Sequence, residues 1–311
     1  MSRLQLLNFG LRRIARPFLA RTKTPERAER DFRRASRFVF RVPKGLTFTT
    51  NHVLLSEPRR ELPISRIALG AVDDTSAILY LHGGGYIAGS AWTHRGMLAT
   101  LSRVAGVPVF APDYRLAQIA PFPAAFDDAL EAWNILTQVQ KMPADRIVLA
   151  GDSAGGGLAL ALLAHLLAEG ERPAGLIGFS PWTDLTLTGE SLETNEATDA
   201  ILVRARMPEL CEIVLAGADP EDPRVSPLWA TWRDPPPVYL QASKTEILYD
   251  DARRMIDVLQ RVGGEATLDA WPDAPHVWQI FDGWIPEARD ALTKAAAFAK
   301  KRLTPPSQAG N

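Results

Sequence analysis

Ser153 sits at the centre of Gly151-Asp152-Ser153-Ala154-Gly155. Before it, Arg146-Ile147-Val148-Leu149-Ala150 is a short β-branched apolar run that reads as a buried strand. After it, Gly156 to His165 is Ala/Leu-rich and reads as a helix. A serine at a strand-to-helix turn, flanked by glycines two residues away on each side, has the pattern of a nucleophile. The turn crowds its own backbone, and glycine has no Cβ to clash as the serine is pushed to the apex. The helix that begins beneath the serine points free N–H groups and the positive end of its dipole at any anion forming there. A tight turn holding a small polar residue would look the same locally, so the partners decide.

A serine hydroxyl needs a base within hydrogen-bond reach and an acid to orient that base. The chain has five histidines. His52 lies in an early strand, His82 in a glycine-rich loop, and His94 at the start of a helix. His165 is 12 residues along the helix from Ser153, roughly 18 Å away at 1.5 Å per residue. Only His276 follows the serine after a further strand, in the order nucleophile, acid, histidine. The acid is expected after the strand Pro237–Ala242. Glu246 comes first, whereas Asp250 and Asp251 lie near a helix start, where capping and dipole favour carboxylates without any catalysis. A second glycine-rich stretch, His82-Gly83-Gly84-Gly85-Tyr86, follows the apolar strand Ala77–Leu81. It lets backbone N–H groups face outward, so Gly83 and Gly84, with Ala154 after the nucleophile, are the expected oxyanion donors. A phosphate loop is the competing reading, but the Lys-Ser/Thr of that motif is missing.

Elements that could position these residues come in order along the chain. Eight short runs read as strands: Phe48–Leu55, Ile64–Leu69, Ala77–Leu81, Val107–Phe110, Arg146–Ala150, Gly175–Phe179, Pro237–Ala242 and Ala266–Trp271. The first two are joined by the polar, proline-containing Ser56–Pro63. Helices are expected at Thr93–Val104, Ala124–Gln140, 155–169, Asp251–Val262 and Pro286–Lys301. Strand–helix alternation of this kind means an α/β protein with a mostly parallel sheet covered on both faces. Ser180–Val225 breaks the rhythm and reads as an insertion, with a helix from about Pro208 to Ala216.

The chain has 311 residues, 46% of them hydrophobic, and a net charge of −1, so nothing global favours nucleic acid. The charge is uneven: residues 1–44 hold 13 Lys and Arg against three acids, a net +10, which leaves −11 on the rest. That segment has helix-like spacing (Leu4, Leu7, Leu11, Ile14) and must lay its apolar side on something. Covering the mouth of the following domain is the expectation, with a membrane surface as the alternative. Cys211 is the only cysteine, so no intrachain disulfide forms; it reads as a small buried hydrophobe in a reducing compartment. No run nears the roughly 18 apolar residues of a membrane span, and arginines interrupt Leu4–Leu19 where a signal peptide would need its core. A cytoplasmic protein with no metal is expected.

These motifs resemble the bacterial hormone-sensitive-lipase-like carboxylesterases, in their Gly-Asp-Ser-Ala-Gly branch. Asp113-Tyr114-Arg115-Leu116, Pro121-Phe122-Pro123-Ala124, Ser180-Pro181-Trp182-Thr183-Asp184, Val225-Ser226-Pro227-Leu228 and His276-Val277-Trp278-Gln279 look like the family too, so the likeness covers nearly the whole chain. It implies an α/β-hydrolase fold with catalytic segments 45–184 and 226–304, a cap of residues 1–44 and 185–225, and a loose tail at 305–311. It further implies hydrolysis of short-to-medium acyl esters without a cofactor, often as a dimer, and puts Glu246 at the family's acid position. Two departures stand out. Ser243-Lys244-Thr245 replaces Gly-Ser-Asp, which removes a neighbouring acid. Ala117-Gln118-Ile119-Ala120 replaces Ala-Pro-Glu-His, a change that bears on that loop's shape and polarity.

Ser153, Glu246 and His276 are therefore the expected catalytic residues, and Phe18, Phe38, Trp92, Trp182 and Leu202 the candidate acyl-pocket residues, although core or cap packing explains each of them too. Three other functions fit parts of the sequence. A small-molecule receptor on the same fold would be expected to lack a triad member. An amidase or peptidase shares the acyl-enzyme route. A membrane-peripheral lipase would use the basic N-terminus.

Overall fold

The computed structural model describes residues 1–56 and 59–304. Its strands are β1 (Leu46–Ser56), β2 (Arg59–Leu69), β3 (Ala77–Leu81), β4 (Val109–Pro112), β5 (Ile147–Asp152), β6 (Gly175–Phe179), β7 (Val238–Ser243) and β8 (Ala266–Trp271). They form one sheet in the order β1-β2-β4-β3-β5-β6-β7-β8. The β1–β2 and β2–β4 pairs are antiparallel, and the others are parallel. This is the α/β-hydrolase fold that the motifs imply.

The helices are α1 (Arg3–Gly10), α2 (Arg16–Arg21), α3 (Pro25–Val39), α4 (Ala91–Ala105), α5 (Ala124–Asn134), α6 (Ser153–Ala168), α7 (Ser191–Thr194), α8 (Met207–Leu215), α9 (Tyr249–Arg261) and α10 (Pro286–Leu303). α1 and α2 are joined by a wider turn at Leu11–Ala15. α5 likewise stops at Asn134 and runs on as a wider turn at Ile135–Val139, where a single helix was expected through Gln140.

Period-two alternation sends the side chains of each central strand into two cores. Leu79, Leu149 and Leu176 face α5, α6 and α9, while Ile78, Tyr80, Val148 and Ile177 face α4 and α10. Both faces are covered, so β3, β5 and β6 are buried along their whole length. α6, which carries Ser153, buries Leu158, Leu160, Leu162, Leu163 and Leu166. At about 2 kcal/mol per side chain, that burial contributes on the order of 10 kcal/mol before entropy is counted, enough to hold the turn above it in place.

The expected polar connection Ser56–Pro63 is mostly strand. β2 begins at Arg59 and pairs with β1 along its length; residues 57–58 lie outside the described residues, as does the expected tail at 305–311. Cross-strand pairing accommodates the polar side chains at this sheet edge, with His52 Nδ1 3.2 Å from Glu61 Oε2. Pro63, which lacks an N–H, accepts from Asp113 N–H through its carbonyl at 2.9 Å.

Candidate active site

The carboxyl ends of β3, β5, β7 and β8 open on one edge of the sheet, the edge where parallel α/β sheets present ligand sites. The glycine loop follows β3, Ser153 follows β5, Glu246 follows β7 and His276 follows β8. Ser153 has φ +50°, a left-handed conformation that costs a serine about 1–3 kcal/mol and lifts its hydroxyl out of the turn. The backbone packs too tightly for side chains at the flanking glycines. A Cβ on Gly151 would lie 2.2 Å from the Gly155 carbonyl oxygen, and one on Gly155 would lie 2.2 Å from the Leu81 carbonyl oxygen.

Side chains from three loops meet at the serine. His276 Nε2 is 2.9 Å from Ser153 Oγ, and its Nδ1 is 2.5 Å from Glu246 Oε2. The N–H at Nδ1 donates to the carboxylate, leaving Nε2 to accept from the serine hydroxyl. Glu246 is 1% exposed, and its other oxygen accepts from Ser243 N–H at 2.8 Å and Ser180 Oγ–H at 2.9 Å. Burial by itself would push the His276 imidazole down, but the Glu246 charge and hydrogen bond outweigh it and hold the imidazole above its ordinary value. The rival carboxylates are occupied elsewhere. Asp250 accepts from Ser191 N–H and Arg253 Nε, and Asp251 accepts from Thr183 and Asp184 N–H.

The remaining histidines make other contacts, although His94 lines the same cavity. His52 pairs with Glu61, and the His165 ring meets Phe126 edge-on at 5.4 Å. His94 Nε2 lies 3.4 Å from Asp152 Oδ2. His82 is stacked 4.1 Å from Tyr114, and burial pushes it down to about 3, so it stays neutral.

The glycine loop corrects one expectation. Gly83 N–H donates to Asp152 Oδ1 at 2.9 Å, and Tyr80 OH donates to the same oxygen at 2.7 Å. That N–H is spent on fastening the loop to the residue before the nucleophile, so it is not free for an oxyanion. Among the described residues, the N–H groups of Gly84 and Gly85 donate to no protein acceptor, and both residues line the cavity beside Ser153. Gly84 has φ +123°, and a Cβ there would lie 2.2 Å from the Ala88 carbonyl oxygen. The divergent loop braces this arrangement: Ala117 N–H donates to the Tyr86 carbonyl, and Gln118 Nε2 donates to the Ile87 carbonyl.

Ser153 and His276 line a cavity of about 300 Å³ whose walls are largely apolar. Trp182 and Leu202 line it, as the sequence suggested. Phe18, Phe38 and Trp92 do not. Phe18 is 42% exposed beside Arg27, Phe38 is 84% exposed, and the Trp92 ring carries the Arg95 guanidinium 3.6 Å from its centre. Phe32, Phe40 and Leu19 take their places from the N-terminal segment, facing Met207 and Leu210 of α8 and Phe281. The N-terminal segment and the insertion thus cover one mouth together.

Two supporting residues were not among the expected site residues, although Ser180 opens one of the family-like stretches. The Ser180 hydroxyl joins Glu246 to Val277 N–H, 3.2 Å away. Asp199, 1% exposed, accepts from Ile201 and Leu202 N–H through one oxygen and from Ile247 N–H through the other, each at 2.8 Å. It ties the insertion to the loop that carries Glu246. Cys211 is buried, and burial raises its thiol to about 12, so it behaves as a small hydrophobe.

The profile of the alpha/beta hydrolase fold family matches residues 78–280. An acetyl-hydrolase of Streptomyces hygroscopicus is 39% identical over 231 residues, covering 74% of this chain and 77% of its own. An esterase of Acinetobacter venetianus is 36% identical over 72% of this chain and 75% of its own. A crystal structure of an esterase from the bacterial hormone-sensitive lipase family superposes with TM-score 0.88 at 34% identity, covering 97% of this chain and 98% of that one. The chain therefore belongs to the alpha/beta hydrolase fold family. Within it, the chain is a carboxylic ester hydrolase of the bacterial hormone-sensitive lipase family. No helix among the described residues is long and apolar enough to cross a membrane.

Proposed function

We propose that this hydrolase is a serine carboxylesterase acting on short-to-medium acyl esters through an acyl-enzyme. The observation that carries the reading is the unbroken hydrogen-bonded chain from Ser153 through His276 to Glu246 at the wall of an apolar cavity. Ser153 Oγ attacks the ester carbonyl as its proton passes to His276 Nε2. The imidazolium that forms is stabilised by the Glu246 carboxylate at Nδ1. Charge on the carbonyl oxygen is met by the N–H groups of Gly84, Gly85 and Ala154, the last at the N-terminus of α6. His276 then protonates the leaving alcohol, and a water activated by the same imidazole cleaves the acyl-enzyme.

The cavity volume lies at the small end of ligand pockets, roughly 300–1,000 Å³, which favours short-to-medium chains. Residues 1–44 and 185–225 act as the cap that keeps water from the acyl chain. The lone cysteine supports a cytoplasmic location. Initial rates on p-nitrophenyl esters from acetate to palmitate, with Ser153→Ala as control, test the reading. Serine-dependent turnover peaking at short or medium chains is expected. A peak at palmitate would make the protein a lipase, and no serine-dependent ester turnover would move amide hydrolysis or ligand binding forward.

A further inference from the structure

The first helices carry apolar side chains on two sides. One side is used inward: Leu4, Leu7 and Leu11 pack on the core between the sheet and α10, and Asn8 Nδ2 donates to the Asp273 carbonyl at 2.9 Å. Arg16 fastens the same side to the carbonyls of Leu202 and Glu196. The other side stays in water. Leu6 and Phe9 are each 55% exposed, Ile14 is 75% exposed and Phe18 is 42% exposed. These four recur every three to five residues along α1, the wider turn and α2, so they follow one stripe of the helix. Arg13 lies over the Phe9 ring at 5.4 Å, and Arg3, Arg21 and Lys23 are exposed nearby in sequence. None of these four cations has an ionic partner among the described residues.

We infer that this outer face docks on an anionic lipid surface. A helix lying in the plane of a membrane needs such a stripe flanked by cations, with the apolar side chains reaching the acyl boundary and the cations reaching the headgroups. The charge distribution sets the orientation: +10 on residues 1–44 is drawn to the lipid, and −11 on the remainder is pushed away. The same distribution argues against a second copy as the occupant, because two such faces would bring like charges together. Docking places the mouth near the bilayer, since Leu19 and Thr22, directly after the stripe, line the cavity. Capture of lipid-dissolved esters rests on the proposed esterase reading; the docking itself does not.

The test is co-sedimentation of the full chain carrying Ser153→Ala with phosphatidylcholine vesicles, with and without phosphatidylglycerol. Binding only to the anionic vesicles, released by salt, is expected. Phe9→Ser with Ile14→Ser should weaken it at least tenfold. Arg13→Gln with Arg21→Gln should weaken it about fivefold per charge. Neither pair lines the cavity, and circular dichroism and thermal unfolding of both variants should match those of the Ser153→Ala parent, which shows that they fold. Failure to bind anionic vesicles, equal binding by the variants, or a dimer in sedimentation velocity that Ile14→Ser splits would each overturn the inference. A protein that docks but hydrolyses no ester would keep the docking and remove only the esterase reading.

Discussion

Replacing Glu246 by Gln isolates what the carboxylate does, because the surrounding donors dictate how the amide must sit. One oxygen of Glu246 accepts from both Ser243 N–H and Ser180 Oγ–H, and the other faces His276 Nδ1. In the Glu246→Gln variant the amide oxygen is claimed by the two donors, so the NH₂ group turns toward Nδ1. The imidazole then presents a bare Nδ1 and a protonated Nε2, the tautomer that cannot accept the Ser153 proton. Flipping the amide to rescue the tautomer strands the buried Ser243 N–H, at about 1–3 kcal/mol, or roughly fivefold to 150-fold in population. Loss of the negative charge that stabilises the imidazolium adds to this. Together the effects should lower kcat by on the order of 10⁴, as a carboxamide replacement of the acid does in a Ser-His-Asp protease, with KM changed only a few-fold. Steady-state kinetics on p-nitrophenyl butyrate measures both constants, and circular dichroism confirms folding. Asp250→Asn should lose less than about tenfold. A Glu246→Gln enzyme that keeps more than about a tenth of wild-type kcat, or an Asp250→Asn enzyme that loses as much, would refute the assignment.

Three further outcomes follow from the geometry. His276 must be neutral to act as base, and its pKa is raised, so kcat/KM should climb with pH through a midpoint above 6.5; a midpoint below 6.5 would contradict the ion pair with Glu246. Gly84→Ala puts a Cβ against the Ala88 carbonyl at φ +123° and should lower kcat by about 10²–10³ through loss of oxyanion donors, measurable on the same ester. Burial pushes Asp251 up to about 8 from 3.8, so its protonated form favours folding: that contribution is complete below 3.8 and is lost as pH rises to about 8. Asp251→Asn keeps an acceptor for Thr183 and Asp184 N–H. Thermal unfolding should therefore show the wild type losing stability relative to the variant across that window, and parallel curves would overturn the point.

What the sequence makes legible here is local or ordered. The elbow is a five-residue turn between two apolar elements, and its physics is contained in Gly151 to Gly155. His276 and Glu246 are found by order along the chain, because each must follow a particular strand. Contacts that cross the chain leave no such trace. The Gly83 N–H looks free in a run of three glycines, and only the fold brings Asp152, 69 residues later, to accept it. Asp199 meets Ile247 across 48 residues, and Ser180 meets Glu246 across 66. The pocket aromatics fail for a related reason. Phe32 and Phe38 both belong to α3, and its amphipathic pattern does not say which ring turns inward until the helix has docked. Both strands of the β1–β2 hairpin were legible, but the first half of β2 was hidden because it is polar and contains Pro63, and β-propensity reflects packing that a sheet edge does not require.

The central claim is that Ser153 is the residue acylated during turnover. Peptide mapping by mass spectrometry after reaction with a fluorophosphonate ester tests it most directly. One label per chain is predicted, on the peptide containing Ser153, absent in Ser153→Ala and much slower to form in His276→Ala. Labelling that persists in Ser153→Ala alongside undiminished ester hydrolysis would contradict the claim and place the nucleophile elsewhere.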